Sequence, residues 1–467
     1  MAGECDGNTG VMAEHAAPAH ILIVGGGYVG MYTALGLQKK LRKGEATITV
    51  VDPQPNMTYQ PFLPEAAAGS VEPRHVVVPL RRVLRRCQIL AGRVTRVDHA
   101  HRVVTIENSA GYAEQLGYDL LVMSPGSVAR TLPIPGLAEQ GIAFKTIGEA
   151  IYLRNHVLSR LDAADSSLNK DLRRKLLTFL VIGGGYAGIE ALAELEDMAR
   201  YATRYYEGIE PSDLRWVLVE ATGRIMPEVS PAMGVYTAQR LRERGIELFL
   251  ETKVTSMVGG HVVLDDGTEF DADTIVWTAG VKASPLLQRT DLPLDEKKRV
   301  RATATLQVVD CPDAFSAGDC AAVPDLTSDD PNATTGPSAQ HAVRQAKLLA
   351  ANVLAHLRGQ PLKVYRHRYA GSVASLGLYR GAAEIYGIRL KGIVAWFMHR
   401  TYHLSRMPTF NRKVRIVADW TAALFFPREV VALGQLNEPK AEFVRATATT
   451  PPNPNPPGRG YPAQAPP

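Results

Sequence analysis

The chain has 467 residues, of which 46% are hydrophobic and 21% charged, and its formal charge is +5. That profile is of an ordinary globular protein with room for two or three domains, and so mild a charge does not argue for nucleic acid. Among the four cysteines, Cys5, Cys87, Cys311 and Cys320, no two form a CxxC pair, which excludes metal and iron–sulfur spacing, a disulfide framework and a close dithiol relay, and makes a reducing compartment the default.

In chain order, residues 1–18 read as a loose tail, since Glu4, Asp6 and Glu14 with no apolar run do not make a signal peptide. Residues 20–52 alternate strand, glycine turn, helix and strand: Ile21–Val24, Gly30–Leu41, then Ala46–Val51 ending at Asp52. Short strands follow over 92–106, and Tyr118–Gly126 reads as a buried strand meeting a glycine turn. A second unit repeats the plan: strand Leu176–Ile182, helix Gly188–Ala202, strand Arg215–Glu220, a hairpin region over Val254–Leu264 and a strand from Asp273 to Gly280. Then come Ala314–Asp319 and a long helix from Ser338 to Leu357. Strand-like pieces at Ser372–Leu378 and Ala382–Ile385 precede an aromatic, basic stretch. The last 22 residues, Ala446–Pro467, carry eight prolines and few apolar anchors, the composition of a disordered tail. No stretch holds 18 uninterrupted apolar residues, so no spanning helix is expected.

Two glycine fingerprints carry the chemistry. In Gly25-Gly26-Gly27-Tyr28-Val29-Gly30, Gly25 serves the tight turn after the strand, Gly27 the approach of a pyrophosphate, and Gly30 close helix–strand packing. Asp52, 22 residues beyond Gly30, ends the next strand where a ribose hydroxyl would lie. A flanking strand, a helix and an acid at that distance make the pattern specific; a glycine-rich surface turn fits the apolar strand poorly. Gly183, Gly185 and Gly188 repeat these roles, with Glu220 ending the following strand. A carboxylate there favours a free 2′-hydroxyl and so NADH over NADPH, although Arg224 stands nearby and could pair with a phosphate. Two nucleotide sites in one chain imply electrons passed between two nucleotides. By fold analogy the first unit carries a permanent flavin and the inserted unit an exchangeable nicotinamide.

Over residues 18–436 the chain resembles the type II NADH dehydrogenases, single-subunit NADH:quinone oxidoreductases with two dinucleotide-binding domains. Asn56–Glu65, including Gln60, looks like the family segment beneath the flavin ring; the turns at Gly126 and Gly280 resemble its two ATG-type turns. Gly318-Asp319 matches the flavin-binding GD motif, and Glu190 the family glutamate near both nicotinamide and flavin. The resemblance implies an α/β fold of two nested Rossmann-like FAD- and NAD-binding domains with a C-terminal α+β membrane-attachment region. The expected division is a tail at 1–18, FAD-binding parts at 19–150 and 301–361, an NADH-binding domain at 151–300, a membrane-attachment and interface region at 362–436, and a disordered tail at 437–467. It further implies bound FAD, NADH as donor, a quinone as acceptor, a homodimer, and peripheral attachment to the cytoplasmic side of the cell membrane. The acceptor motifs depart from the family: Ala339-Gln340-His341-Ala342-Val343-Arg344 has Arg344 where a second glutamine is usual, Gln345 comes one residue late, and Ala370 replaces a frequent lysine. The acceptor is then a quinone bound differently, or something else, and the chain a divergent paralogue.

The expected reaction is hydride transfer from NADH to flavin followed by electron delivery to the acceptor. Glu190 and Gln340 are the catalytic candidates; Glu65 and Arg344 are acceptor-site candidates. The competing reading of Gln340 is a surface helical glutamine. The histidines show no ligand clustering; His399 and His403 share a helical face without a carboxylate cluster nearby and read as interfacial, so no metal is expected. Residues 380–415 hold eight Lys/Arg against the single acid Glu384, interleaved with Ile393, Val394, Trp396, Phe397 and Tyr402, and a second amphipathic segment follows through Phe426. That pattern over 380–426 suits an anionic lipid surface better than nucleic acid, the alternatives being core packing or a dimer interface. The competing functions are a soluble reductase of a ferredoxin-like or other acceptor and an NADH-sensing flavoprotein without turnover; a sulfide:quinone reductase would want paired cysteines.

Overall fold

Ile21–Val24 and Leu120–Met123 are unbroken apolar runs, as strands buried on both faces require. They lie at the centre of an eight-stranded sheet in the computed structural model, which describes residues 18–367, 371–433 and 440–449. From one edge the strands run Gln307–Val308, Cys311–Ser316, Leu120–Met123, Ala19–Val24, Ala46–Asp52, Gln88–Asp98, Val103–Asn108 and Ala113–Gly117. Its five central members are parallel, with Ile21 opposite Ile48 on one side and Leu120 on the other; the antiparallel strands are confined to the edges. The helix Tyr28–Lys40 packs on the long helix Ala339–Leu357 across one face, through Met31, Ala34, Leu37, Ala346 and Leu349. The first strand and the strand that returns after residue 310 thus share one sheet, closed by the late helix.

The inserted unit is a five-stranded parallel sheet, ordered Gly141–Ala143, Thr274–Trp277, Thr178–Ile182, Arg215–Glu220, Glu247–Leu250. Gly141–Ala143 joins it ahead of the expected boundary at residue 150. Phe179 and Trp216 stack at 4.4 Å in its core, where full burial of each ring contributes roughly 1.5–3 kcal/mol. Two extended segments, Ser127–Ala129 and Val281–Ala283, pair antiparallel where the chain crosses between the sheets. The Val254–Leu264 hairpin is present and gains a third strand, Glu269–Asp271.

After the long helix, Gly371–Ser375, Gly381–Ile385 and Ile388–Lys391 form an antiparallel sheet, covered by the helix Gly392–Arg406. Helix Phe410–Phe425 follows, its N-terminus capped by the Thr409 hydroxyl. No helix among the described residues is long and apolar enough to cross a membrane. Ala441–Thr449 is helical, a correction within the 437–467 stretch read as structureless: its apolar spacing survives where the proline run has not begun. The tail 1–17, Ala370 and residues 450–467 lie outside the described residues.

Candidate active site

The two fingerprints are built alike. Gly25 (φ 98°) and Gly183 (φ 111°) take the left-handed turn, and their amides donate to Val51 and Val219 at 2.8 and 2.9 Å. A Cβ on Gly30 would lie 1.8 Å from the Gly25 carbonyl oxygen, and one on Gly188 2.0 Å from that of Gly183; here helix meets strand too closely for any side chain. At Gly27 and Gly185 a Cβ would meet nothing within 4 Å. These two are the helix N-caps, and neither helix has a side-chain cap. By contrast Thr146 and Glu149 close a capping box on the Ile147–Asp165 helix. Uncapped amides facing open space are a ready site for a phosphate. Hydroxyls complete the match: Ser124 donates to the Val24 carbonyl at 3.0 Å and Thr278 to that of Ile182 at 2.9 Å.

The acids end their strands as expected. Asp52 accepts the amides of Gly26 at 2.6 Å and Gln54 at 2.7 Å; burial raises its pKa against the lowering by these two bonds. Glu220 accepts the Gly184 amide at 2.6 Å and the Thr222 amide and hydroxyl, each at 2.8 Å. Arg224 turns away from this edge. Its Nη2 donates to the carbonyls of Met226 and Pro227, at 3.3 and 3.1 Å, and to that of Val229, so the guanidinium is engaged.

Gly126, Gly280 and Gly318 all have positive φ. Gly126 and Gly280 face open space. The Gly318 amide donates to Gln345 Oε1 at 2.7 Å, and Gln345 Nε2 reaches Thr335 at 3.0 Å. Gln345 is therefore a buried strut under the GD turn rather than a displaced acceptor residue. Asp319 accepts Ser127 Oγ at 2.6 Å, and Lys145 Nζ donates to the same hydroxyl at 2.5 Å. Burial depresses the Lys145 ammonium, partly offset by Asp319 and Glu149; no motif pointed to this lysine. Gln60 donates to the Lys145 carbonyl at 3.3 Å. Open amides beside Asp52 and Asp319 fit a dinucleotide, which needs donors for its pyrophosphate and acceptors for its ribose and ribityl hydroxyls.

Gln340 donates to the Gly371 carbonyl at 2.8 Å, and Arg344 folds back onto the Gln340 carbonyl at 3.1 Å. The strand that begins at Gly371 ends at Ser375, whose amide donates to Glu190 at 2.9 Å and whose hydroxyl donates to Glu194 at 2.7 Å. One short strand thus ties Gln340 to Glu190.

Around Glu190 lies a buried ionic cluster. His399 Nε2 stands 3.1 Å from Glu190 Oε1, at ion-pair distance but out of line for a hydrogen bond; its Nδ1 is 4.0 Å from Glu65 Oε1. Glu65 accepts Trp420 Nε1 at 2.8 Å and pairs with Arg400 at 3.3 Å. The Arg400 guanidinium lies over the rings of Trp396 and Trp420 at 4.1 and 4.7 Å. Burial, then Glu65 and Asp197, raise the Glu194 carboxyl to about 7. Burial alone would depress the His399 imidazolium, but Glu190, Glu65 and Glu194 outweigh it and raise its pKa. His403 meets its ring edge to face at 4.6 Å, and burial, then His399, lower the His403 pKa well below the usual imidazole value. The interfacial reading of His399 and His403 is thus corrected. Both face inward, and the missing carboxylates arrive from the helices Leu63–Ala67 and Tyr186–Ala202, far away in sequence. The one local signal is the acids Glu190, Glu194, Glu196 and Asp197 in an alanine- and leucine-rich helix. The outward faces differ: Ile393, Val394 and Phe397 on one helix and Phe410, Val414, Val417, Leu424 and Phe425 on the next are exposed.

The family model described as pyridine nucleotide-disulphide oxidoreductase matches residues 12–346. The chain is similar to the type II NADH:quinone oxidoreductase Ndh of Mycobacterium tuberculosis, at 29% identity over 87% of this chain and 88% of that one. It is also similar to the demethylphylloquinone reductase NdbB of Synechocystis, at 28% identity over 86% and 96% of the two chains. Among solved structures, NDH2 from Plasmodium falciparum in complex with NADH superposes with a TM-score of 0.82 at 17% identity, over 88% of this chain and 99% of that one.

Proposed function

This chain belongs to the pyridine nucleotide-disulphide oxidoreductase family, and from that premise we propose that it is an FAD-dependent NADH:quinone oxidoreductase working at a membrane surface without pumping protons. The reading rests foremost on the two open, uncapped glycine cradles, one per parallel sheet, with Glu190 in the helix that starts at the second. When bound, FAD would take a hydride from NADH and hand two electrons to the quinone. Asp52 and Asp319 would hold the FAD ribose and ribityl hydroxyls, and Glu220 the NADH ribose. Arg224, whose Nη2 is held by backbone carbonyls, would be less free to meet a 2′-phosphate. Gln340, tethered to the Gly371 carbonyl beside Arg344, would meet a flavin carbonyl or a quinone oxygen. Relatives named for quinone reduction support this acceptor. The Cys320 thiol, buried and pushed up to about 11, is a poor nucleophile for a disulfide relay.

Membrane attachment is supported by the exposed apolar faces of helices Gly392–Arg406 and Phe410–Phe425, flanked by Arg389, Lys391, Arg406, Arg412, Lys413 and Arg415. Each cation near an anionic surface adds about 1 kcal/mol. The resemblance to the type II enzymes also carries a homodimer and the cytoplasmic face of the cell membrane. The test is anaerobic: reduce the purified flavoprotein with NADH, then add menaquinone, ubiquinone or ferredoxin separately in lipid. Reoxidation by a quinone supports the reading. Reoxidation by ferredoxin alone replaces it with the soluble reductase, and none at all with the NADH sensor.

A further inference from the structure

The buried cluster around Glu190 holds more ionisable groups than electron transfer needs. Glu65, Glu190, Glu194, His399 and Arg400 are each no more than 9% exposed, and five elements meet to enclose them. Helix Leu63–Ala67 supplies Glu65, helix Tyr186–Ala202 supplies Glu190 and Glu194, and strand Gly371–Ser375 supplies Ser375. The two C-terminal helices supply His399, Arg400 and Trp420. Two fixed roles can be separated from a free one. Arg400 and Trp420 both engage Glu65 Oε2 and fix that carboxylate as a counter-ion. Glu190 and Glu194, one helical turn apart, are bridged by Ser375. His399 stands between these two pairs with neither ring nitrogen in an aligned hydrogen bond, and Glu65 Oε1 likewise has none. Three buried carboxylates and one buried guanidinium favour further positive charge, and the imidazole is the group placed to carry it.

We propose that His399 is the positioning residue that keeps an exchangeable proton on this cluster and delivers it through Glu190 to the acceptor. This rests on the quinone reading above. Turning a quinone into a quinol takes two electrons and two protons, while the hydride of NADH brings two electrons and one proton. The second proton passes from Glu190 to the acceptor oxygen as the new O–H bond forms. Glu190 recovers it from His399 Nε2, and the cluster is recharged from water. The groups facing His399 are Glu65 from one helix, Glu190 and Glu194 from another, and Arg400 and His403 from its own. Asp197 and Arg428 act on it through Glu194. His403, beside the Tyr59 hydroxyl at 3.5 Å, is where the chain of polar groups continues away from Glu190.

The experiment compares acceptors that differ in proton demand. Wild type, His399→Gln and the isosteric Glu194→Gln are reduced with NADH, then reoxidised by a short-chain quinone or by ferricyanide, which takes electrons and no proton. In both variants quinone reoxidation should slow about tenfold or more and lose its dependence on pH near neutrality, with ferricyanide rates unchanged. Imidazole in the buffer should restore part of the rate to His399→Ala. A second readout needs no turnover: the infrared band of a protonated carboxyl should titrate near neutral pH in wild type, vanish in Glu194→Gln, and move up by about one pH unit in His399→Gln, as a neighbouring cation is lost. Equal losses with both acceptors, or an unmoved carboxyl band, would overturn the proposal alone. A wild-type protein that ferricyanide reoxidises and no quinone does would overturn the quinone reading and this inference with it.

Discussion

Gly188→Ala tests the geometry of the second fingerprint. The added methyl would lie 2.0 Å from the Gly183 carbonyl oxygen and 2.6 Å from Thr278 Oγ1. Ordinary contact begins near 3.4 Å, so the helix start and the glycine turn must part by about 1.4 Å. A misplacement of about 1 Å at a reacting site can cost about 10²-fold. Flavin reduction by NADH, followed by stopped-flow absorbance, should therefore slow about 100-fold. FAD should remain bound, because the first fingerprint belongs to the other sheet. The control is Gly185→Ala, whose methyl meets no protein atom within 4 Å. It should leave the melting temperature unchanged and raise the Kd for NADH, since only a pyrophosphate would feel it. Flavin reduction in Gly188→Ala at near the wild-type rate, or FAD lost along with it, would show that the third glycine does not set the nicotinamide position.

Glu220→Gln keeps the size of the side chain and removes the charge; the ratio of kcat/KM for NADH over NADPH should fall about tenfold, consistent with a charged hydrogen bond of about 1.5–3 kcal/mol. Arg400→Ala leaves Glu65 buried with Trp420 as its remaining hydrogen-bond donor and His399 4.0 Å away, and denaturant unfolding should report a loss of about 3–5 kcal/mol; a change below about 1 kcal/mol would mean that water reaches the site. Glu45 is lowered to about 2, chiefly by its bond to Arg358. Its contribution is present above the ordinary carboxylate range and is lost as pH falls toward 2. Because both side chains are partly exposed, the effect should be about 0.5–1 kcal/mol, seen as an acid-limb difference between wild type and Glu45→Gln. Phe397→Glu should release the protein from anionic vesicles in a sedimentation assay, with flavin content unchanged, since that ring is exposed.

What the sequence disclosed follows from how local each feature is. Strand, glycine turn, helix and terminal acid follow one another within a single βαβ unit, and so Gly25 and Gly183 could be placed at the turns and Asp52 and Glu220 at the strand ends, while the amides that the acids accept were not anticipated. Arg224 was read only as near; which way its guanidinium turns depends on three carbonyls of the next loop. Gln345 looked like a shifted acceptor residue, because a helix's facing cannot be known before its packing partner, and that partner is Gly318. The Glu190 cluster was the least visible, because its members come from positions 65, 190, 194, 399, 400 and 420 and meet only through tertiary packing. A basic, aromatic helix also hides an inward histidine among outward cations.

The Gly392–Arg406 helix presents Ile393, Val394 and Phe397 outward and Ala395, His399 and Arg400 inward. Anyone seeking a more tractable, detergent-free enzyme would be tempted to remove this end of the chain. A protein shortened before residue 392 would lose its greasy exterior and its imidazole together, leaving Glu65, Glu190 and Glu194 confronting one another without a neighbouring cation. Solubility has to be gained by recolouring the outer face one residue at a time. Small molecules that lever helices Gly392–Arg406 and Phe410–Phe425 outward would disable the protein without competing for either nucleotide.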